Sequence, residues 1–340
     1  MANEPSEGAA GPAPGDQRLV DAQGRHIRYL RLSLTDRCNF RCSYCSPAGP
    51  EESASLLSRA EIARLVRTFA SLGIRRVRLT GGEPTLRSDL LDVVADVRGT
   101  PGIEEVALTT NGQLLERLAV PLREAGVSRL NVSLDTLDPS RLRQISGRAA
   151  TLGRIVSGIE SAARAGFASL KINVVVVRGE NERELGDLAR FAWRHGATPR
   201  FIELMPFGQG EVVPAAEVRR LLEAQGVRLE ADATRGWGPA THMRGESSDG
   251  GRPVGGLIGF IGAMTEGFCD GCNRVRVGAD GSLRACLGGR DRAPLADLLR
   301  SGASDAEIGE RIRAVLLAKG PRHEMAERPS GLLPMIGAGG

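Results

Sequence analysis

From Arg28 onward the chain repeats one pattern: a short run alternating apolar and polar residues, then a longer stretch with an apolar residue every third or fourth position. The runs YLRLSLT, RRVRLT, EEVALTT, SRLNVSL, SLKINVVVV and PRFIEL predict six strands, each leading into a helix. Strands and helices alternating at this spacing pair in parallel, in either a doubly wound sheet or a (βα) barrel. Side-chain parity separates the two, because a parallel strand covered on both faces is apolar at nearly every position. Here Leu30, Leu32 and Leu34 alternate with Arg31, Ser33 and Thr35; Val77 and Leu79 with Arg78 and Thr80; Leu130, Val132 and Leu134 with Asn131, Ser133 and Asp135; Ile172 and Val174 with Lys171 and Asn173. If the apolar faces take the helices, the polar faces line a shared interior, and an interior that charged must hold a ligand. The expected fold is α/β, an incomplete (βα)6 TIM-type barrel forming an open arc.

Helix boundaries carry their own signals. Ser58 with Glu61 predicts a capping box ahead of the stripe Ile62, Leu65, Val66 and Phe69, which Gly73 ends. Asn181 and Glu184 predict the same device ahead of LGDLARFAWR, and Ser301 to Lys319 reads as one helix. Residues 1–17, rich in Pro, Gly, Ala and acid, are expected to be a disordered lead-in. The barrel is assigned to 18–206. After Pro206 the alternation gives way to glycine-rich sequence, so 207–340 is expected to be a smaller C-terminal domain ending in Gly339-Gly340.

Composition narrows the class only slightly. A formal charge of +4 in 340 residues is mildly basic and spread out, which suits an anionic ligand as well as nucleic acid. Aromatics make up only 4% of the chain, too few for a stacking surface, so no nucleic acid is expected. Apolar runs such as INVVVV are too short to span a bilayer, and no signal segment opens the chain; a cytoplasmic protein without membrane contact is expected. Thiols stay reduced there, so the six cysteines are read as metal ligands or catalytic groups rather than disulfides.

The cysteines form two trios, Cys38, Cys42 and Cys45 in CxxxCxxC, and Cys269, Cys272 and Cys286 in CxxC with a later Cys. Three thiolates can hold three irons of a cubane cluster and leave the fourth iron open. The other reading is zinc, completed by a distant donor, but His26, His195, His242 and His323 show no ligand-like pairing. CxxxCxxC after a first strand, with Tyr44 before the last Cys, resembles the radical S-adenosylmethionine superfamily. That resemblance implies a [4Fe–4S] cluster whose open iron chelates S-adenosylmethionine and, once reduced, cleaves it to a 5'-deoxyadenosyl radical. It further implies that TGGEP, with Gly82, meets the methionine moiety, and that Tyr44, Ser133 and Met205 contact the cofactor.

At the second trio, NRVRVGADGSLRAC predicts two short strands joined at GADG, which brings Cys272 nearly opposite Cys286. Arg274 and Arg276 share one strand face. CxxxCxxC, CxxC with thirteen residues before the next Cys, RxR after the CxxC and a terminal Gly-Gly together resemble the GTP 3',8-cyclase family of molybdenum cofactor biosynthesis, over about residues 18–340. The departure is Ser46-Pro47 after Cys45, where Met-Pro is common. The resemblance implies a second [4Fe–4S] cluster in a C-terminal iron–sulfur module, with GTP held between the clusters by Arg31, Arg78, Thr109, Lys171, Arg274, Val275 and Arg276. Arg274, Arg276, Gly339 and Gly340 are implied in catalysis.

The implied reaction takes the C3' hydrogen of GTP and closes C3' onto C8. The implied partners are an external one-electron reductant and, downstream, cyclic pyranopterin monophosphate synthase; a homodimer stays open. The alternatives are a radical enzyme with an auxiliary cluster acting on a peptide, and a zinc-binding nucleic-acid module.

Overall fold

Each of the six expected runs is a strand: β1 (Tyr29–Ser33), β2 (Arg76–Thr80), β3 (Glu105–Thr110), β4 (Arg129–Ser133), β5 (Ser169–Val176) and β6 (Thr198–Glu203). They pair in parallel and in sequence order. The computed structural model describes residues 18–45, 55–234, 236, 238–289 and 292–325, so the expectations for residues 1–17 and for Gly339-Gly340 lie outside the described residues. Along β5 burial alternates residue by residue, as parity requires. Leu30, Leu32, Val77, Leu79, Leu130, Val132, Ile172 and Val174 point into one apolar core, and their polar neighbours point the other way.

The core is closed by the helices α1 (Arg59–Ser71), α2 (Leu90–Gly99), α3 (Leu115–Ala125), α4 (Pro139–Ser146), α5 (Leu152–Arg164), α6 (Leu185–Arg194) and α7 (Ala215–Ala224). The α1 capping box forms as its sequence implies, and Ile62, Leu65, Val66 and Phe69 are fully buried beneath it. Each such side chain contributes about 1.5–3 kcal/mol of transfer free energy.

One helix expectation fails. Glu184 is the N-cap residue of α6 but makes no side-chain cap bond. Its carboxylate instead accepts from Thr136 Oγ1 (2.8 Å), the Leu137 amide (2.9 Å) and Arg141. Asn181 ties the loop after β5 to the Val177 amide (2.9 Å) and to the Asp135 and Val175 carbonyls (2.8 Å each). A long-range use for both side chains outcompetes the local cap. In the last stretch, Ser301 closes a short helix, α8 (Leu295–Arg300), and α9 (Asp305–Leu317) begins at a separate Ser304–Glu307 capping box.

Beyond β6 come β7 (Arg228–Ala231), β8 (Thr241–Asp249), β9 (Arg252–Ile261), β10 (Arg274–Val277), β11 (Ser282–Arg284) and β12 (Ala293–Pro294). All join the same sheet, in the order β12-β11-β10-β1-β2-β3-β4-β5-β6-β9-β8-β7. β10 lies parallel to β1 and β9 parallel to β6, so the expected six-strand arc is lengthened at both edges by strands from far along the chain. Among the described residues the two edge strands do not pair with each other, leaving an open arc around a polar lumen. Among the described residues no helix is long and apolar enough to cross a membrane.

Candidate active site

The inward faces of the strands line a cavity of ≈ 590 Å³, within the range of small-molecule sites. At one end stands the loop after β1 that carries the first cysteine trio. It is anchored by the buried rings of Phe40 and Tyr44, and by amides of Arg41 and Ser43 donating to Ser146 and Ile145 (2.9 and 3.0 Å). Tyr44 Oη donates to Asp135 Oδ2 (2.6 Å), whose other oxygen accepts the Val175 amide (2.8 Å). Cys38, Cys42 and Cys45 all face the cavity, as do Tyr44, Gly82, Ser133 and Met205.

Gly81-Gly82 follows β2 and meets that loop. The Gly82 amide donates to the Thr35 carbonyl and the Glu83 amide to Arg37 (2.7 Å each), and a Cβ on Gly82 would lie 2.2 Å from the Arg37 carbonyl oxygen. Glycine is needed here first for contact between two backbones of the protein itself, before any ligand is considered. Glu83 is buried beneath, accepting from Thr85 Oγ1 (2.6 Å), Thr110 Oγ1 (2.7 Å) and the Thr85 and Asn111 amides (3.1 and 2.7 Å). Burial pushes its carboxyl above the usual range despite those bonds.

The middle of the cavity is a wall of cations. Register places Arg276, Arg31 and Arg78 side by side across β10, β1 and β2. Like charges directly opposite one another repel. Burial, then Arg276 and Arg78, pull the Arg31 guanidinium well below its usual range, and burial, then Arg274, brings Arg276 to about 10. Arg78 donates to Tyr29 Oη (2.5 Å) and to Thr109 Oγ1 (3.1 Å). Arg200 donates twice to Asn173 Oδ1 (2.9 and 2.7 Å), and Asn131, with its amide oxygen inward, accepts from Arg200 (2.6 Å) and Arg78 (2.9 Å). Lys171 completes the wall.

The carboxylates among the lining residues, Glu83, Glu105 and Asp135, each have partners of their own; Glu105 holds Arg129. Among the described lining residues the cations therefore outnumber the carboxylates, which suits an anionic ligand. Arg200 was missed at the level of sequence, although its alternation with Phe201 marks it as inward. Tyr29 follows from the parity of Arg31, whereas nothing local marks Glu83.

Cys269, Cys272 and Cys286 are not among the lining residues, although their neighbours Phe268, Arg274 and Leu287 are; Cys269 and Cys272 form a tight turn, the Cys272 amide donating to the Cys269 carbonyl (3.0 Å). The GADG turn folds β11 back onto β10 with Arg276 opposite Arg284, which carries Cys286 toward Cys272. Arg274 lies over the Phe268 ring at 4.9 Å, and both line the cavity with Arg276. The Val275 side chain is in the core, the residue lying opposite Leu30, which leaves its backbone for a ligand.

A parallel arc that gathers a CxxxCxxC loop and a Gly-Gly turn at the ends of its strands defines a radical S-adenosylmethionine domain. Residues 32–192 match the Radical SAM superfamily, and residues 197–325 match Molybdenum Cofactor Synthesis C. A GTP 3',8-cyclase of Heliobacterium modesticaldum is 42% identical, covering 94% of this chain and 98% of its own. One from Pelotomaculum thermopropionicum is 43% identical, covering 91% and 96%. The chain belongs to the GTP 3',8-cyclase family. Among solved structures, Streptococcus suis SuiB bound to S-adenosylmethionine superposes with a TM-score of 0.59 at 16% identity over 85% of this chain and 69% of that one, a likeness of fold.

The cofactors are two [4Fe–4S] clusters and S-adenosylmethionine. The donors fit the clusters. Each trio consists of thiols alone; none of the six is in a disulfide, and all are half-buried. Burial pushes Cys38 up to about 11 and Cys42 to about 12, so only a bound cation would keep them ionised near neutrality. Burial would also raise Cys272, but Arg274 and Lys319 outweigh it and hold that thiol at about 7.

Proposed function

We propose that the chain converts GTP to (8S)-3',8-cyclo-7,8-dihydroguanosine 5'-triphosphate for molybdenum cofactor biosynthesis. The observation that carries this is the cross-strand row Arg276, Arg31 and Arg78, extended by Lys171, Arg200 and Arg274, in the cavity that Cys38, Cys42 and Cys45 line. Guanidinium forks match phosphate oxygens in pairs, and a triphosphate relieves the repulsion along the row. In this reading Arg31, Arg78, Lys171, Arg274 and Arg276 bind the nucleotide, Thr109 orients Arg78, and Val275 contributes only its main chain.

Cys38, Cys42 and Cys45 hold the first cluster, and Cys269, Cys272 and Cys286 the second. Tyr44, Gly82, Ser133 and Met205 contact S-adenosylmethionine. When bound, the first cluster and S-adenosylmethionine supply the 5'-deoxyadenosyl radical that takes the ribose C3' hydrogen. The arc keeps the nucleotide oriented and water away while C3' closes onto C8. An electron and a proton complete the product, the electron coming from an external one-electron donor. Gly339 and Gly340, outside the described residues, take part in catalysis in this reading, and cyclic pyranopterin monophosphate synthase consumes the product. The test is mass spectrometry of the purine formed when reconstituted protein, GTP, S-adenosylmethionine and a reductant are mixed without oxygen. The cyclised nucleotide with 5'-deoxyadenosine is expected; 5'-deoxyadenosine with unaltered GTP would overturn the reading.

Nucleotide binding should also move a proton. Burial, then Arg200 and Arg78, pull the Lys171 ammonium down to about 7, and a phosphate beside it would raise that value again. Because the complex has the higher pKa, affinity is full below the free value and falls as pH rises through about 7. Calorimetry at about pH 8, in buffers of different ionisation heat, should read uptake approaching one proton per GTP. Lys171→Met should abolish it; no uptake by the unmodified protein would place Lys171 away from the phosphates.

A further inference from the structure

The CxxC turn of the second trio is fastened to the far N-terminal part of the described chain. Val20 and His26 pair in an antiparallel bridge, and Asp21 sits in the turn between them. Asp21 Oδ1 accepts the Gln23 and Arg25 amides (3.0 Å each), and Oδ2 accepts Arg25 Nε (2.6 Å). Arg25 then donates to the carbonyls of Cys269 (2.8 Å), Gly320 (2.9 Å) and Pro321 (2.9 Å). Lys319, two residues beyond α9, enters the same place. Its Nζ donates to the Arg274 carbonyl (2.9 Å) and to Cys272 Sγ (3.3 Å), and stands 4.0 Å from Asp21 Oδ2.

Lys319 and Asp21 are only 5% and 4% exposed, so water screens neither charge well. An N–H donated to a ligand sulfur, and a positive charge near a cluster, both favour the state with one more electron.

We propose that Lys319 sets the reduction potential of the second cluster, raising it through its bond to the Cys272 sulfur, and that Asp21 offsets part of the Lys319 charge. This makes Lys319 a positioning residue, acting through a ligand. It rests on the two-cluster reading, and iron analysis separates the two failures, since a chain that loads only one cluster overturns that reading.

The test is a redox titration of the full-length protein with both clusters, followed by electron paramagnetic resonance. The first cluster, identified by its response to S-adenosylmethionine, serves as internal reference. With Lys319→Met, the reduced-to-oxidised ratio of the second cluster at fixed potential should fall about tenfold, about 59 mV for one electron, with the first cluster unmoved. Lys319→Arg should restore most of it, and Asp21→Asn should shift the ratio upward. A merely structural role would move both variants in one direction or disturb both clusters; either result, or no shift, overturns the proposal. Should Lys319→Met fail to load the second cluster, Asp21→Asn decides alone: a rise supports the proposal, and a fall or no change overturns it.

Discussion

Replacing Arg274 and Arg276 together by alanine is expected to lower GTP conversion about 10²–10⁴-fold, from about 1.5–3 kcal/mol for each charged hydrogen-bonding partner lost, while S-adenosylmethionine is still cleaved without product. The first trio follows the end of β1, whereas Arg274 pairs with Tyr29 at the start of that strand. Stability gives a second readout. Arg276 sits directly opposite Arg31, which is itself opposite Arg78, so removing one member relieves repulsion in the empty protein. Thermal unfolding should therefore be unchanged or shifted upward, which separates a lost binding group from a damaged fold. Unchanged GTP affinity in the double variant would remove both arginines from the site.

Gly82→Ala is expected to abolish cleavage as well as conversion. The added methyl would sit 2.2 Å from the Arg37 carbonyl oxygen, a backbone atom that no rotamer change can move aside. Relief means displacing the loop that carries Cys38, Cys42 and Cys45 or breaking the Gly82–Thr35 and Glu83–Arg37 bonds, at a cost above about 3 kcal/mol for overpacking of this severity. Chemical denaturation and iron content after reconstitution read the effect. Gly24→Ala is the control: Gly24 has φ +74 and open space around it, so that change should cost only about 1–2 kcal/mol of backbone strain and leave the iron in place. A Gly82→Ala protein with full iron and full cleavage would show that the contact between the two loops is dispensable.

Much of this site was visible as alternation. Once Leu30, Val77, Leu130 and Ile172 are assigned to the helices, Arg31, Arg78, Asn131 and Lys171 must face one another, and the cavity lining bears this out. The same rule reaches Arg200 and Asn173, because period-two geometry is local. What stayed hidden depends on contacts between distant parts of the chain. β9 and β10 extend the arc at its two edges, although glycine-rich sequence separates them from it, and pairing with β6 and β1 is what gives them their places. Asn181 and Glu184 carry a cap signature but are drawn to Asp135 and Thr136 instead. Gly82 reads as a ligand turn, yet its need is set by Arg37. Lys319 carries no local sign of its bond to Cys272, which closes only when α9 packs against β11.

The account depends on each cysteine trio supplying one ligand fewer than its cluster has irons. Mössbauer spectroscopy of ⁵⁷Fe-reconstituted protein, kept free of oxygen, tests this most directly. About eight irons per chain are predicted, in two [4Fe–4S] clusters, with one iron of the first altered by S-adenosylmethionine and one iron of the second by GTP. Zinc at both trios, or two clusters whose irons ignore both small molecules, would contradict it.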